Sequence, residues 1–175
     1  KNMGTITRTI ANNLTVTKAS GGTMVDVWRL ASDHDSTSTA STIVGWERDD
    51  TASYAGVGTG MTESSGIFTF PSTGIYLITA ICSFNSAGND SNYNELSIQQ
   101  TVNGGTGWTF RAGNSDDIQS GTNERGATTQ LCTFDVTDVS THKIRFNAFS
   151  ENTVNMYGSS SGNRTHVLFQ KINET

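Results

Sequence analysis

The sequence predicts an all-β domain, and three observations support this prediction. Only 15% of the 175 residues are charged, 18 residues are glycine, and Ser, Thr and Asn fill most polar positions. This composition is typical of strands and turns, whereas helices are rich in Ala, Leu, Glu and Lys. Short apolar segments also recur between turn residues, which indicates about eight to ten strands at spacings suited to a β-sandwich.

Residues 1–22 are predicted to form an arm or attachment segment. Polar and apolar residues alternate in 5–10 and in 14–17, with two asparagines between them and two glycines after them. This pattern favours two short β segments and a turn. Because the segment is rich in Thr and poor in apolar residues, we expect it to lead into the domain of residues 23–175 and to dock onto other proteins.

The first strand of the domain is predicted at Met24–Leu30 and the second at 42–46, with a polar loop through residue 40 between them. Three glycines alternate within 49–60, a spacing that could suggest a phosphate-binding loop. A strand rather than a helix follows them, so no helix N-terminus is available to bind the anion. The glycines therefore indicate a loop.

The longest apolar run and the only proline lie in residues 66–84, which are predicted to form a hairpin of two strands. One face of the second strand is apolar and is expected in the core: Tyr76, Ile78, Ala80, Cys82 and Phe84. The other face also carries apolar residues, namely Ile75, Leu77 and Ile81. A strand with one solvated face would alternate between apolar and polar residues. Since the chain has too few helix signals for a covering layer, we expect another copy of the chain to cover this face.

The rest of the chain is predicted to contain five further strands, at 93–102, 108–111, 127–136, 143–149 and 165–172. Asn103-Gly104-Gly105 is typical of a hairpin turn. The polar segments 85–92, 112–126 and 150–164 are predicted loops. Any binding determinants are expected on them, because recognition residues usually lie on loops held by a rigid scaffold.

The central stretch resembles the signature of the C1q/tumour necrosis factor (TNF) superfamily. Its members carry Gly, any residue, Phe, two residues, Pro, two residues, Gly, any residue and Tyr, followed by an apolar strand. The matching residues here are Gly66, Phe68, Pro71, Gly74 and Tyr76.

This resemblance covers about residues 23–173 and implies a ten-stranded antiparallel jelly-roll β-sandwich that assembles as a homotrimer. It also implies that Leu77, Thr79 and Ile81 face the trimer axis. The chain departs from the family in two respects: residues 138–142 replace the usual Gly-Asp turn, and no collagen-like Gly-x-y repeat precedes the domain. The second departure disfavours a secreted ligand of the vertebrate type.

Charge and hydropathy exclude two classes of partner. The net charge of −5 and the pI near 5.0 disfavour nucleic acid, because proteins that bind it concentrate Lys and Arg on one surface. No apolar run approaches the ~20 residues of a membrane-spanning helix, so no membrane span is predicted.

Catalytic and metal-binding patterns are weak. Residues 158–162 match the Gly-x-Ser-x-Gly nucleophile motif, but a strand rather than a helix follows, so catalysis is not expected. The histidines His34, His142 and His166 have no ligand spacing, and a solvated loop is favoured over a metal site at 33–35.

Calcium is the one ion for which the sequence offers candidate ligands, although no loop has ordered ligand spacing. The candidates are two groups of carboxylates: Asp116, Asp117 and Glu124, or Asp49 and Asp50. No cofactor is predicted.

Three remaining features have explanations that involve no special function. The family resemblance implies that Cys82 and Cys132 lie on neighbouring strands, and both positions are expected to face the core. Two free thiols are favoured over a disulfide because the domain is large enough without one. Chance explains the glycosylation sequons in an Asn- and Thr-rich chain. Trp28, Trp46 and Trp108 are expected in core or interface packing rather than at ligand platforms.

Together these observations predict a non-enzymatic, trimeric structural or binding module on a virus particle. It would be a capsid decoration or a fibre head at the virion surface or another extracellular location. The arm would join it to other virion or filament proteins, and the head would contact a host glycan or receptor. Two alternatives are a secreted C1q/TNF-like ligand and a glycan-acting enzyme, which would need two carboxylates in one groove.

Overall fold

The chain folds into a sandwich of two antiparallel β-sheets. A computed structural model describes residues 24–121 and 124–175, and these residues contain strands and turns but no helix. The strands are β1 Met24–Leu30, β2 His34–Ser36, β3 Ser41–Thr42, β4 Trp46–Arg48, β5 Thr62–Ser64, β6 Ile67–Thr69, β7 Gly74–Asn85, β8 Ser91–Thr101, β9 Thr109–Ile118, β10 Arg125–Val136, β11 Lys143–Ser150, β12 Val154–Met156 and β13 His166–Asn173. The arm predicted at 1–22 lies outside the described residues.

Each sheet contains five principal strands. Sheet A has the order β4-β1-β13-β7-β10, with the short strands β12 and β2 continuing beside the end of β7. Sheet B has the order β5-β6-β11-β8-β9, and the two-residue strand β3 pairs with β11. The predicted ten-stranded antiparallel sandwich is therefore confirmed, with β2, β3 and β12 as short additions.

Aromatic side chains from both sheets fill the space between them. Trp28 from sheet A meets Phe68 from sheet B edge to face, with ring centroids 5.4 Å apart, and Phe169 packs on the same ring at 5.1 Å. Trp46 packs against Phe146 at 5.5 Å. Such pairs contribute about 0.5–1.5 kcal/mol each beyond their buried area. The predicted packing role of Trp28 and Trp46 is confirmed.

The central stretch is not a hairpin, contrary to the prediction. β6 pairs with β5 and β11 in sheet B, whereas β7 lies in sheet A between β10 and β13. Both edges of β6 are thus occupied, and the intervening residues cross from one sheet to the other. Gly74 has φ +144° beside Lys171, and the hydroxyl of Tyr76 donates to the Ser72 carbonyl at 2.9 Å, which fixes the crossing segment.

Two other predicted elements differ in extent. The strand predicted at 42–46 is interrupted, because Gly45 has φ +83° and the chain passes there from β3 in sheet B to β4 in sheet A. The loop predicted at 112–126 is half strand, since β9 continues to Ile118 by pairing with β8. The loop predicted at 150–164 likewise contains β12.

A buried carboxylate inside the sandwich connects β1 to the glycine-containing loop. Asp26 is 2% exposed and accepts hydrogen bonds from Trp28 Nε1 at 2.8 Å, Arg48 Nε at 2.9 Å and the backbone N–H of Met61 at 2.7 Å. A Cβ at Gly60 would collide with this carboxylate, so the loop approaches Asp26 closely only because residue 60 is glycine. The sequence prediction of a loop is confirmed, and the reason for one of its glycines is structural.

Candidate functional site

Two surfaces are candidate functional sites, and the first is the outer face of sheet A. On β7 the residues Ile75, Leu77, Thr79 and Ile81 point away from the core and are half-buried. The inward residues of the same strand are fully buried, as predicted. The strand is therefore apolar on both faces.

Neighbouring strands extend this apolar surface. In register with Thr79 are Leu131 of β10 on one side and Leu168 of β13 on the other, and Leu168 is in turn opposite Val27 of β1. Leu131 is 61% exposed, which is unusual for a leucine in the middle of a strand. Of the residues predicted at a subunit interface, Thr79 thus has leucines on both sides. Leu77 is in register with Thr133 and Gln170, and Ile81 with Thr129 and His166.

Arg29 marks the boundary of this surface on β1. Its guanidinium is 1% exposed and binds Glu47 at 2.7 Å and Asp49 at 3.0 Å, with Asp50 as a third partner. Although burial opposes ionisation of Asp49, hydrogen bonds from Thr51 and Asn163 and the charge of Arg29 lower its pKa. The two carboxylates predicted as calcium ligands are therefore held by an arginine.

The second surface is the loop end, which we define as residues 86–92, 117–121, 125 and 151–165. The Asn89 side chain donates to the carbonyl of Thr153 at 3.0 Å, and Asn152 donates to the carbonyl of Asp90 at 2.7 Å. Ser86 Oγ donates to the carbonyl of Gly121 at 3.0 Å. The three segments predicted to carry binding determinants thus meet at one end of the sandwich.

One side of the loop end is acidic. A polar cleft of about 360 Å³ is lined by Asp90, Asn92, Asp117, Ile118, Gln119 and Ser120. The Ser120 N–H donates to the carboxylate of Asp90. Asp116, another of the three carboxylates predicted as calcium ligands in this region, accepts from the Ala127 N–H at 2.9 Å.

The other side of the loop end is basic and aromatic. The guanidinium carbons of Arg125 and Arg164 lie 4.6 and 4.7 Å from the ring centroid of Tyr157. All three side chains come from the ends of sheet A strands or from the segment between β12 and β13. No charge or aromatic spacing in the sequence indicates this meeting.

The residues considered as metal ligands or as a nucleophile are not brought together into a site. In the part of the chain that the structure describes, no three His, Cys, Asp or Glu side chains form a possible metal site. Ser159 Oγ hydrogen-bonds with Ser161 Oγ at 3.2 Å, in a loop that leads into a strand. The strand-to-helix turn that activates a nucleophilic serine is not formed at this motif.

The histidines have separate surroundings. His34 lies 3.4 Å from the hydroxyl of Ser41, and burial lowers its pKa. His142 stacks on Phe134 at 5.4 Å, and His166 lies on the outer face of sheet A opposite Ile81.

Both cysteines are free and face the interior of the sandwich, as predicted. In the pairing of β7 with β10, Cys132 is opposite Ile78, four residues from Cys82. At about 3.3 Å per residue this offset places them roughly 13 Å apart, too far for a disulfide. Burial raises the pKa of Cys132 to about 11 and also raises the pKa of Cys82, so both thiols are protonated at neutral pH.

The chain is similar in structure to two proteins of known architecture. A crystal structure of murine APRIL at pH 5.0 superposes with a TM-score of 0.59 at 13% sequence identity, covering 86% of this chain and 99% of that chain. The structure of Eiger TNF from S. frugiperda gives a TM-score of 0.59 at 10% identity, covering 88% and 96%. The chain has a TNF-like jelly-roll fold. The fold implied by the Gly66–Tyr76 motif is thereby confirmed.

Sequence comparison adds no relative, because no protein-family profile and no curated protein sequence matches the chain. In residues 24–121 and 124–175 of this TNF-like jelly roll, no helix could cross a membrane.

Three clusters were not predicted from the sequence: the buried groups around Asp26 and around Arg29, and the surface group of Arg125, Tyr157 and Arg164. Asp26 and Arg29 lie within an apolar strand, and a charged residue at such a position is a signal of a buried ion pair. Arg125, Tyr157 and Arg164 carry no such signal, since only the strand pairing brings them together.

Proposed function

We propose that this TNF-like jelly roll is a non-enzymatic binding module that acts as a homotrimer through the outer face of sheet A. The observation that carries the proposal is the apolar patch around Leu77, Thr79 and Ile81, which the other residues of 24–121 and 124–175 leave without a covering layer. Monomeric proteins rarely expose large continuous apolar surfaces. The resemblance in the central stretch supplies the expected stoichiometry of three.

The loop end is the surface proposed to contact a ligand. It is made of connecting segments held by a rigid sandwich, and direct hydrogen bonds join these segments to one another. Its side chains are mostly Ser, Asn, Asp and Arg, which suit a polar ligand. A host glycan or a receptor is the partner class proposed.

Two extracellular settings fit such a module. A virion surface, as a capsid decoration or fibre head, is supported by the Thr-rich segment 1–22, through which other virion or filament proteins would be bound. A secreted ligand is supported by the similarity in fold to APRIL and Eiger TNF. Locating the chain with an antibody, on purified particles or in cell-free medium, separates these settings.

The mass of the purified chain in solution tests the assembly part of the proposal. Light scattering at neutral pH is expected to give three times the 18.7 kDa chain mass. A monomer at micromolar concentration would contradict the proposal. Incubation with host polysaccharide, followed by product analysis, is expected to detect no hydrolysis.

A further inference from the structure

Tyr157 at the loop end is fixed by the sheet and contacted by two arginines. Its backbone N–H donates to the carbonyl of Ser83 at 2.7 Å, and its carbonyl accepts from the N–H of Thr165 at 3.1 Å. The ring is thus anchored to β7 and to the residue before β13. Arg125 and Arg164 lie within 4.7 Å of its centroid. Their guanidinium carbons therefore lie at most about 9.3 Å apart.

Neither arginine has a carboxylate partner. All Asp and Glu side chains of the sequence lie in the described residues, and the ion pairs among these residues involve Arg29, Arg48 and Lys171. Two acidic side chains that contact the neighbouring residues bind groups other than these arginines. Asp33 accepts from the N–H of Gly158 at 2.8 Å, and Asp35 accepts from the side chain of Asn155.

Two neighbouring arginines without carboxylate partners are unusual in a chain with a net charge of −5. Two like charges held near one ring repel each other, and an anion that contacts both removes the repulsion. The guanidinium fork matches the oxygen geometry of a carboxylate or sulfate in particular. The cluster therefore has the charge and the donors of an oxyanion site.

The surroundings favour a carbohydrate over a peptide as the carrier of the anion. The segment between Tyr157 and Arg164 contains three serines and an asparagine. The large exposed apolar side chains of the described residues all lie outside the loop end. These hydroxyl and amide groups can donate and accept hydrogen bonds with the hydroxyl groups of a sugar.

We propose that Arg125, Tyr157 and Arg164 bind a carboxylate or sulfate group of an acidic carbohydrate. The inference rests on the proposed function, in which the loop end contacts the ligand, and it names the class of that ligand. Tyr157 acts as a positioning residue that holds the two guanidinium groups together. The competing occupant is a carboxylate of a neighbouring copy, because Arg125 lies on the outer face of sheet A.

The experiment measures binding of the purified full chain to three immobilised polysaccharides: heparin, which is sulfated, polysialic acid, which is carboxylated, and dextran, which is neutral. The wild-type chain is expected to bind one or both acidic polymers and not dextran. Arg125→Gln and Arg164→Gln should each weaken this binding about tenfold or more, since each removes charge-assisted hydrogen bonds. Tyr157→Phe should retain binding, whereas Tyr157→Ser should weaken it.

Arg111→Gln is the matched control, because it removes the same charge from an exposed arginine on β9 away from the cluster. It should change binding less than twofold. Equal weakening by this control would overturn the proposal in favour of general charge attraction, as would a wild-type chain that binds neither acidic polymer.

The mass of every variant, measured in the same samples, separates this proposal from the one on assembly. Glutamine variants that lose the trimer would assign the arginines to a subunit contact and overturn the carbohydrate site. A wild-type monomer that still binds an acidic polymer through Arg125 and Arg164 would overturn the trimer and leave this site standing.

Discussion

The outward faces of the two sheets carry different side chains, a difference that the overall composition of the chain does not show. On β11 of sheet B the outward side chains are Lys143, Arg145, Asn147 and Phe149. Three of them bond to neighbouring strands: Lys143 with Thr69 at 3.1 Å, Arg145 with Gln99 at 2.8 and 2.9 Å, and Asn147 with Thr42 at 3.1 Å. The outer face of sheet B is therefore hydrogen-bonded along β11, and its apolar side chains, such as the exposed Phe110 and the Tyr93–Phe149 pair, lie among these polar groups.

The corresponding positions on β7 of sheet A are Ile75, Leu77, Thr79 and Ile81. No side-chain hydrogen bond joins these residues to their neighbours among the described residues. The two faces therefore differ in how many of their outward side chains bond to neighbouring strands. This difference supports the proposal that assembly uses the outer face of sheet A and leaves sheet B and the loop end for other contacts.

The substitution Leu77→Asp should have the largest effect on assembly. An uncompensated charge buried at the proposed interface costs about 3–5 kcal/mol, and a trimer would contain three of them. We expect monomers by light scattering, with the circular dichroism spectrum of the sandwich unchanged.

Ile67→Asp is the matched control on sheet B. Ile67 is half-buried and points outward, and it lies opposite Arg145 in the register of β6 and β11. An aspartate there can pair with that arginine, so the trimer should persist. An intact trimer with Leu77→Asp would remove the functional distinction between the two faces.

The β-sandwich could be predicted from sequence because its core strands carry strong patterns. β1 was predicted with the bounds that the structure has, because Met24–Leu30 is a mainly apolar segment followed by polar loop residues. β9 was predicted far too short, because it is an edge strand that pairs only with β8 and is polar on both faces from Asn114 to Asp117. Such a strand has no apolar period, and its extent is set by its partner.

The outer face of sheet A and the loop end also differ in how far they could be predicted from the sequence. The apolar outward face of β7 was visible because period and hydropathy are properties of one segment. The cluster of Arg125, Tyr157 and Arg164 depends on the register of β10 with β7 and on the position of β12 beside the end of β7. Pairing across sequence-distant strands is not encoded in any single segment, so the cluster could not be predicted.

Arg29→Met should have the next largest effect, on stability rather than on assembly. Its removal leaves the buried carboxylate of Asp49 without a charge partner, which costs about 3–5 kcal/mol of unfolding free energy. Urea unfolding of the variant should show this loss. Because the pKa of Asp49 is lowered in the folded chain, its stabilising contribution is present above the unfolded-state value of about 3.9 and disappears as the pH falls through the folded-state value.

Asp50→Asn is the control, since Asp50 is 81% exposed and an exposed ion pair contributes at most about 1 kcal/mol. Equal losses in the two variants would mean that burial of the cluster does not determine its energy. A monomeric but fully stable Arg29→Met chain would instead place Arg29 inside the subunit interface.

Thr79→Val should have the smallest effect and tests the comparison most finely. Thr79 is the polar position in the outward row of β7, and it lies between Leu131 and Leu168 in register. If a second copy covers this row, the hydroxyl is desolvated there, and a methyl group of similar size stabilises the contact by about 1 kcal/mol. Subunit exchange between labelled and unlabelled trimers should then slow severalfold.

The matched change Thr69→Val on the outer face of sheet B should leave exchange unchanged, because Thr69 accepts a hydrogen bond from Lys143 within its own chain. Equal exchange rates for wild type and Thr79→Val would mean that water, rather than a neighbouring subunit, covers the centre of sheet A.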